Sequence, residues 1–164
     1  MISGVPEIKR ILYPTDLSEN TRYAFGYAAS LANCYGAGIM ILHVLEEPSP
    51  NTLLILEAWS GQEGWEELKK RNEKHVIQEI RGRITDFCED MRNGLPECPF
   101  IVDDILVETG HPVERILSHI NATPCDMVVM GSRGHGLFKD LVMGSTSQRV
   151  LRRSSVPVLI VPLP

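Results

Sequence analysis

Five short apolar runs rich in branched residues recur along the chain with helix-patterned stretches between them, and this alternation constrains the fold more than any other feature. The runs are IKRILYP near the start, GIMILHV, IVDDILVE, DMVVMG and VPVLIVP, each of strand length. Between the second and third, Ile77, Ile80, Ile84, Phe87 and Met91 recur every three or four residues along one helical face. Residues 19–35 are Ala-rich and stop before Gly36, while HPVERILSHI puts Pro112 in a first helical turn with Val113, Ile116, Leu117 and Ile120 on one side. A last helix is expected to begin near Gly144 to Ser147 and to carry Val150 and Leu151. Strands that alternate with helices connect by right-handed crossovers, so the fold class is α/β, a mainly parallel sheet covered by helices on both faces.

In such sheets ligands settle outside the carboxyl ends of the strands, where the strand order reverses. That rule selects YPTDLS, HVLEEPS and the residues that follow DMVVM. Asp103 and Asp104, adjacent on one strand, are expected to point to opposite faces, which makes them unsuitable as a catalytic pair.

The third of these places is unusual. GSRGHGLFKDLVMGSTS, residues 131–147, holds Gly131, Gly134, Gly136 and Gly144, a dense use of a residue that loses much conformational entropy on ordering. A loop leaving a parallel strand for a helix can aim successive amides at an anion, and the helix N-terminus adds its dipole. That geometry is available twice, at Gly131 to Gly136 and again at Gly144, Ser145, Thr146 and Ser147, where hydroxyls add donors or cap the helix. The alternative is a Gly-rich turn followed by an ordinary Ser N-cap. Charge favours an anion: residues 131–155 carry Arg133, Lys139, Arg149, Arg152 and Arg153 against Asp140, in a chain whose net charge is -5. An acidic chain with one small basic island suits a small anion better than a polynucleotide, so no nucleic-acid partner is expected.

Several classes are excluded. A Walker A loop needs Lys and Ser or Thr after its last glycine, but Gly136 is followed by Leu137. A dinucleotide fingerprint needs its glycines after an early strand, and the first strand runs into PTDLSEN. The four cysteines, Cys34, Cys88, Cys98 and Cys125, are scattered without metal-ligand spacing and are expected to be buried free thiols. No segment has the pattern of a signal peptide or the roughly 18 apolar residues of a membrane span, so a cytoplasmic protein without membrane contact is expected. At 164 residues one domain is expected.

Gly131, two residues, Gly134, nine residues, Gly144 and then Ser145 resembles the signature of the universal stress proteins, specifically their ATP-binding branch. The resemblance extends to ILYPTDLSE, ILHV, DMVVMGSRG and VPVLIVP, and so to nearly the whole chain. It implies a three-layer sandwich on a five-stranded parallel sheet of order 3-2-1-4-5, the adenine nucleotide alpha hydrolase-like relative of the Rossmann fold. It implies further that Asp16 accepts hydrogen bonds from the ribose, with Pro14 and Thr15 shaping the adjacent wall. Val44 would meet adenine through its main chain, and Met130 would enclose the nucleoside. Gly131, Arg133 and Gly134 would line the phosphate path. Gly144, Ser145, Thr146 and Ser147 would hold the outer phosphates of ATP, ADP or AMP, with Mg or Mn bridging them. Asp16 has a second possible duty, since Glu19 follows at capping-box spacing and Asp16 could cap the first helix.

These positions are mostly amides, hydroxyls and one acid, without the lysine and metal-binding carboxylate of efficient phosphoryl transfer. The expected protein is a nucleotide-dependent regulator or switch in the stress response, with no catalytic residue assigned and weak ATP hydrolysis or autophosphorylation as the alternative. Pro157 and Pro162 bracket an apolar edge strand, which fits either a homodimer paired along that strand, as the resemblance also implies, or an edge covered by its own helix. The stretch from about 46 to 65 is long for a connection and is expected to be a variable insertion, either a flap or partner contact or an amphipathic helix packed on the body.

Overall fold

Alternation within each strand fixes the architecture. The computed structural model describes residues 4–18, 21–47, 50–52, 54, 58, 62–132 and 143–163. Its strands are β1 (Arg10–Pro14), β2 (Gly38–Leu45), β3 (Ile101–Thr109), β4 (Met127–Gly131) and β5 (Val158–Val161). Its long helices are α1 (Thr21–Tyr35), α2 (Gln62–Gly94), α3 (Pro112–Ala122) and α4 (Ser145–Arg153). Ile11 and Tyr13 of β1, Ile39 and Ile41 of β2 and Val129 of β4 lie in one buried cluster with α1 and α2. The residues between them, Leu12, Met40, Leu42, Val128 and Met130, form a second cluster with α3 and α4. A period of two on a fully buried strand feeds both faces, which is why these strands read as continuous apolar runs.

The sheet is five-stranded in the order β3-β2-β1-β4-β5, and every pairing is parallel. Chain order therefore runs outward through β2 and β3 on one side of β1 and through β4 and β5 on the other, placing the reversal between β1 and β4. Small residues let α1 lie close to the sheet: Ala24, Ala28, Ala29 and Ala32 are all buried. Gly36 ends that helix at φ 65°, and the amide of Ala37 returns to the Ala32 carbonyl at 2.9 Å, the closing bond of a Schellman turn.

Two features depart from the sequence pattern. β3 carries a register shift opposite Ile39 and Met40, so Asp103 is an extra residue on its strand. Asp103 reaches the Arg10 guanidinium at 3.7 Å while the Asp104 carboxylate accepts from the amide of Ile105, so the two acids do not converge. The helix centred on Ile80 and Ile84 begins at Gln62, far ahead of its apolar repeat, so the end of the expected 46–65 insertion belongs to α2. Among the described residues no helix is long and apolar enough to cross a membrane.

Candidate functional site

The reversal between β1 and β4 opens a cleft of about 480 Å³, within the range of roughly 300–1,000 Å³ typical of small-molecule sites. Four places in the chain give most of its wall. The end of β1 gives Pro14, Thr15 and Asp16; the end of β2 gives His43, Val44 and Glu46. The end of β4 gives Met130 and Gly131, and the start of α4 gives Gly144, Ser145, Thr146 and Ser147. Ten of the twelve residues singled out from sequence thus share one cavity, although they come from both ends of the chain. Arg133 and Gly134 lie outside the described residues.

The loop after β1 is held by its own side chains. Thr15 Oγ1 accepts from the amide of Leu17 at 3.1 Å, and the Asp16 carboxylate accepts from the amide of Ser18 at 3.0 Å. Leu17 sits at φ 60°, the one left-handed non-glycine among the described residues, a conformation that is costly unless its surroundings enforce it. Its side chain packs against the α1/α2 core, which supplies that enforcement. The bond from Ser18 to Asp16 organises the loop after β1, and Glu19, the other half of the expected capping box, lies outside the described residues.

His43 is buried and donates from Nδ1 to the Thr15 carbonyl at 2.8 Å, because a carbonyl can only accept. This bond ties β2 to the β1 loop. Burial pushes the Tyr13 hydroxyl well above the usual phenol range; it donates to the Thr21 carbonyl at 2.9 Å.

At the other end, Gly144 is the N-cap of α4 with φ -69° and ψ 154°, and as a glycine it makes no side-chain cap hydrogen bond. The Gln148 amide makes the first helical bond, to the Gly144 carbonyl at 3.0 Å. The amides of Ser145, Thr146 and Ser147 therefore belong to the first turn, where the helix itself provides no acceptor, and all three residues line the cleft. The Ser147 hydroxyl is committed elsewhere, donating to the Gly131 carbonyl at 2.8 Å.

The basic island is arranged differently from its place in sequence. Arg149, Arg152 and Arg153 do not line the cleft. Arg153 ends α4, about 12 Å along the axis from Ser145 at 1.5 Å per residue, and pairs with Glu114 at 2.7 Å. The attraction for an anion at this end thus comes from the amides and the helix dipole rather than from these arginines. Of the cysteines, Cys88 and Cys125 are buried and burial pushes both thiols up, whereas Cys34 is exposed.

Sequence patterns missed several wall residues. Thr21 and Ala24 of α1, Pro112 and Ile116 of α3, and Leu163 beyond β5 all line the cleft. They were legible as helix or strand-end residues, but their convergence depends on how the two helical layers sit on the sheet.

An open parallel α/β sheet with a loop-walled cleft at its reversal defines a class of small-ligand-binding proteins. Within that class the chain belongs to the universal stress protein family, whose family model matches residues 7–162. It is 28% identical over 153 residues to universal stress protein MJ0577 of Methanocaldococcus jannaschii, covering 93% of this chain and 94% of that protein. It is 32% identical to a universal stress protein of Thermus aquaticus over 93% of this chain and 98% of the relative. The solved MJ0577 structure superposes with a TM-score of 0.66 at 26% identity, covering 95% and 96% of the two chains. A universal stress protein solved in complex with cAMP has the same fold, with a TM-score of 0.60 at 21% identity, covering 97% of this chain and all of that one.

Proposed function

We propose that the cleft binds an adenine nucleotide, ATP or its diphosphate or monophosphate, with Mg or Mn on the phosphates, and that its occupancy switches assembly or partner choice in a stress response. One observation carries this proposal: the first turn of α4 and Asp16 line one cleft, with apolar Met130 and Val44 among the wall residues. That arrangement suits a ligand with an anionic end, a hydroxyl-bearing middle and a flat apolar end. In this account Asp16 accepts from the ribose beside Pro14 and Thr15, Val44 and Met130 flank the base, and Gly131, Arg133 and Gly134 flank the phosphate path. Ser145 and Thr146 donate to the outer phosphates beside Gly144, whose amide stays on the Ser132 carbonyl and whose missing side chain leaves room for them, while Ser147 contributes its amide and keeps its hydroxyl on Gly131. A metal ion would neutralise phosphate charge and be held chiefly by the phosphates.

The protein acts as one domain of the cytoplasm and pairs as a homodimer along Pro157 to Pro162. Support for the pairing is that β5 is an edge of the sheet and that Val158, Leu159 and Ile160 are only half-buried there. Amides, hydroxyls and isolated carboxylates suit holding a nucleotide; phosphoryl transfer asks for more. The test is to denature the purified protein and identify released nucleotide by chromatography and mass, then to offer ATP to the emptied protein. Recovery of an adenine nucleotide, or saturable uptake of ATP, is expected. A protein that releases no nucleotide and also takes up no ATP would overturn the proposal.

A further inference from the structure

Ser132 follows β4 and is only 5% exposed, and it makes three hydrogen bonds to two other parts of the chain. Its amide donates to the carbonyl of Val161, the end of β5, at 2.8 Å. Its carbonyl accepts from the amide of Gly144, the N-cap of α4, at 2.6 Å. Its hydroxyl oxygen accepts from the amide of Leu163 at 3.2 Å. Leu163 is itself buried and lines the same cleft as Gly144.

The amide and carbonyl of one residue belong to two different peptide planes, related only by φ and ψ. Holding the amide on Val161 and the hydroxyl on Leu163 restrains one plane and the side chain. The other plane then presents its carbonyl to Gly144, which sets where α4 begins. Ser132 does not line the cleft, so its hydroxyl acts through these neighbours and not by touching a ligand. We infer that Ser132 is a positioning residue that fastens the anion-facing turn of α4 to β5 and Leu163, so that losing its hydroxyl weakens anion binding without affecting the rest of the cleft. This inference rests on the proposed nucleotide site for its ligand, and on the hydrogen bonds alone for its linkage.

Three substitutions separate the hydroxyl from bulk: Ser132→Ala removes it, Ser132→Cys keeps comparable volume with a weak acceptor, and Ser132→Thr retains it. Amide hydrogen exchange on the ligand-free protein is read at Leu163 and Gly144, and titration calorimetry is run with ATP and with adenosine. The Ala and Cys variants should exchange faster at both amides, although the hydroxyl touches only Leu163. They should bind ATP about three- to tenfold more weakly, the effect of one neutral hydrogen bond, with adenosine unchanged and the Thr variant near wild type. Faster exchange confined to Leu163 overturns the linkage, and equal losses for ATP and adenosine overturn the anion-specific role. A wild type that binds neither ligand refutes the nucleotide proposal and the anion-specific role together, while the exchange result at Gly144 still decides the linkage.

Discussion

The Ser147 hydroxyl donates a 2.8 Å hydrogen bond to the Gly131 carbonyl, joining the first turn of α4 to the last residue of β4. Ser147 is 4% exposed, so the bond is shielded from water, and its loss would leave the Gly131 carbonyl without that donor. The two ends of the glycine-rich stretch are thereby held together by a side chain at its far end. Ser147→Ala is expected to destabilise the protein by about 1–2 kcal/mol, measured by urea unfolding, and to weaken ATP binding along with it. An unchanged unfolding midpoint would remove the bond from this account.

Gly144 separates folding from binding. Its backbone is in the ordinary extended region, so glycine is not required there by conformation. Serine is a good N-cap, and Gly144→Ser should leave the ligand-free protein as stable as wild type or better by a few tenths of a kcal/mol. The same side chain stands at the cleft wall and should reduce ATP affinity by about tenfold or more, consistent with the value of a close backbone approach. Calorimetric titration beside thermal unfolding reads the two effects; a variant that loses both stability and affinity would point to a structural role instead.

Phe25 is fully buried and stands edge-on to three rings, Tyr13, Phe87 and Phe100, with centroids 5.1–5.2 Å away. It is the point where α1, α2 and the sheet meet. Phe25→Ala should cost about 3–5 kcal/mol by chemical denaturation, large enough to unfold a marginal domain, and Phe25→Leu distinctly less. Equal effects from both would show that ring geometry rather than volume holds this junction.

Tyr13 gives a pH dependence with a definite sign. Burial raises its folded value, so the folded state keeps the phenol proton longer than the unfolded chain does. The associated stability is fully present below the unfolded value of about 10 and is lost as pH rises through and beyond it. Wild type should therefore lose stability above about pH 10 with a slope that Tyr13→Phe lacks, the variant costing about 1 kcal/mol at neutral pH for the lost bond to Thr21. Parallel curves for the two proteins in urea melts from pH 8 to about 11 would contradict this assignment.

The sheet was legible because β1, β2 and β4 are apolar on both faces, a pattern that a buried parallel strand requires. The bulge at Asp103 was not, since it answers to a neighbour in space: Gly38 lies so close that a Cβ there would collide with the Asp103 carboxylate. The start of α2 was hidden because Gln62 to Lys74 is almost entirely polar and carries no apolar period. The wall residues at the ends of β1, β2 and β4 followed from topology, but Leu163 and Ile116 reach the cleft only through packing. Proximity in sequence misplaced the arginines, because α4 carries its C-terminal charges away from the turn that precedes it.

The most direct measurement is thermal unfolding of nucleotide-free protein with and without ATP and Mg, in wild type, Asp16→Ala and Gly144→Ser. At an ATP concentration about 100 times the dissociation constant, one site adds about 2.7 kcal/mol, or about 5–10 °C in midpoint for a domain of this size. That rise is expected in wild type, with a much smaller one in both variants. No rise in wild type at millimolar ATP, or an equal rise in all three proteins, would contradict it.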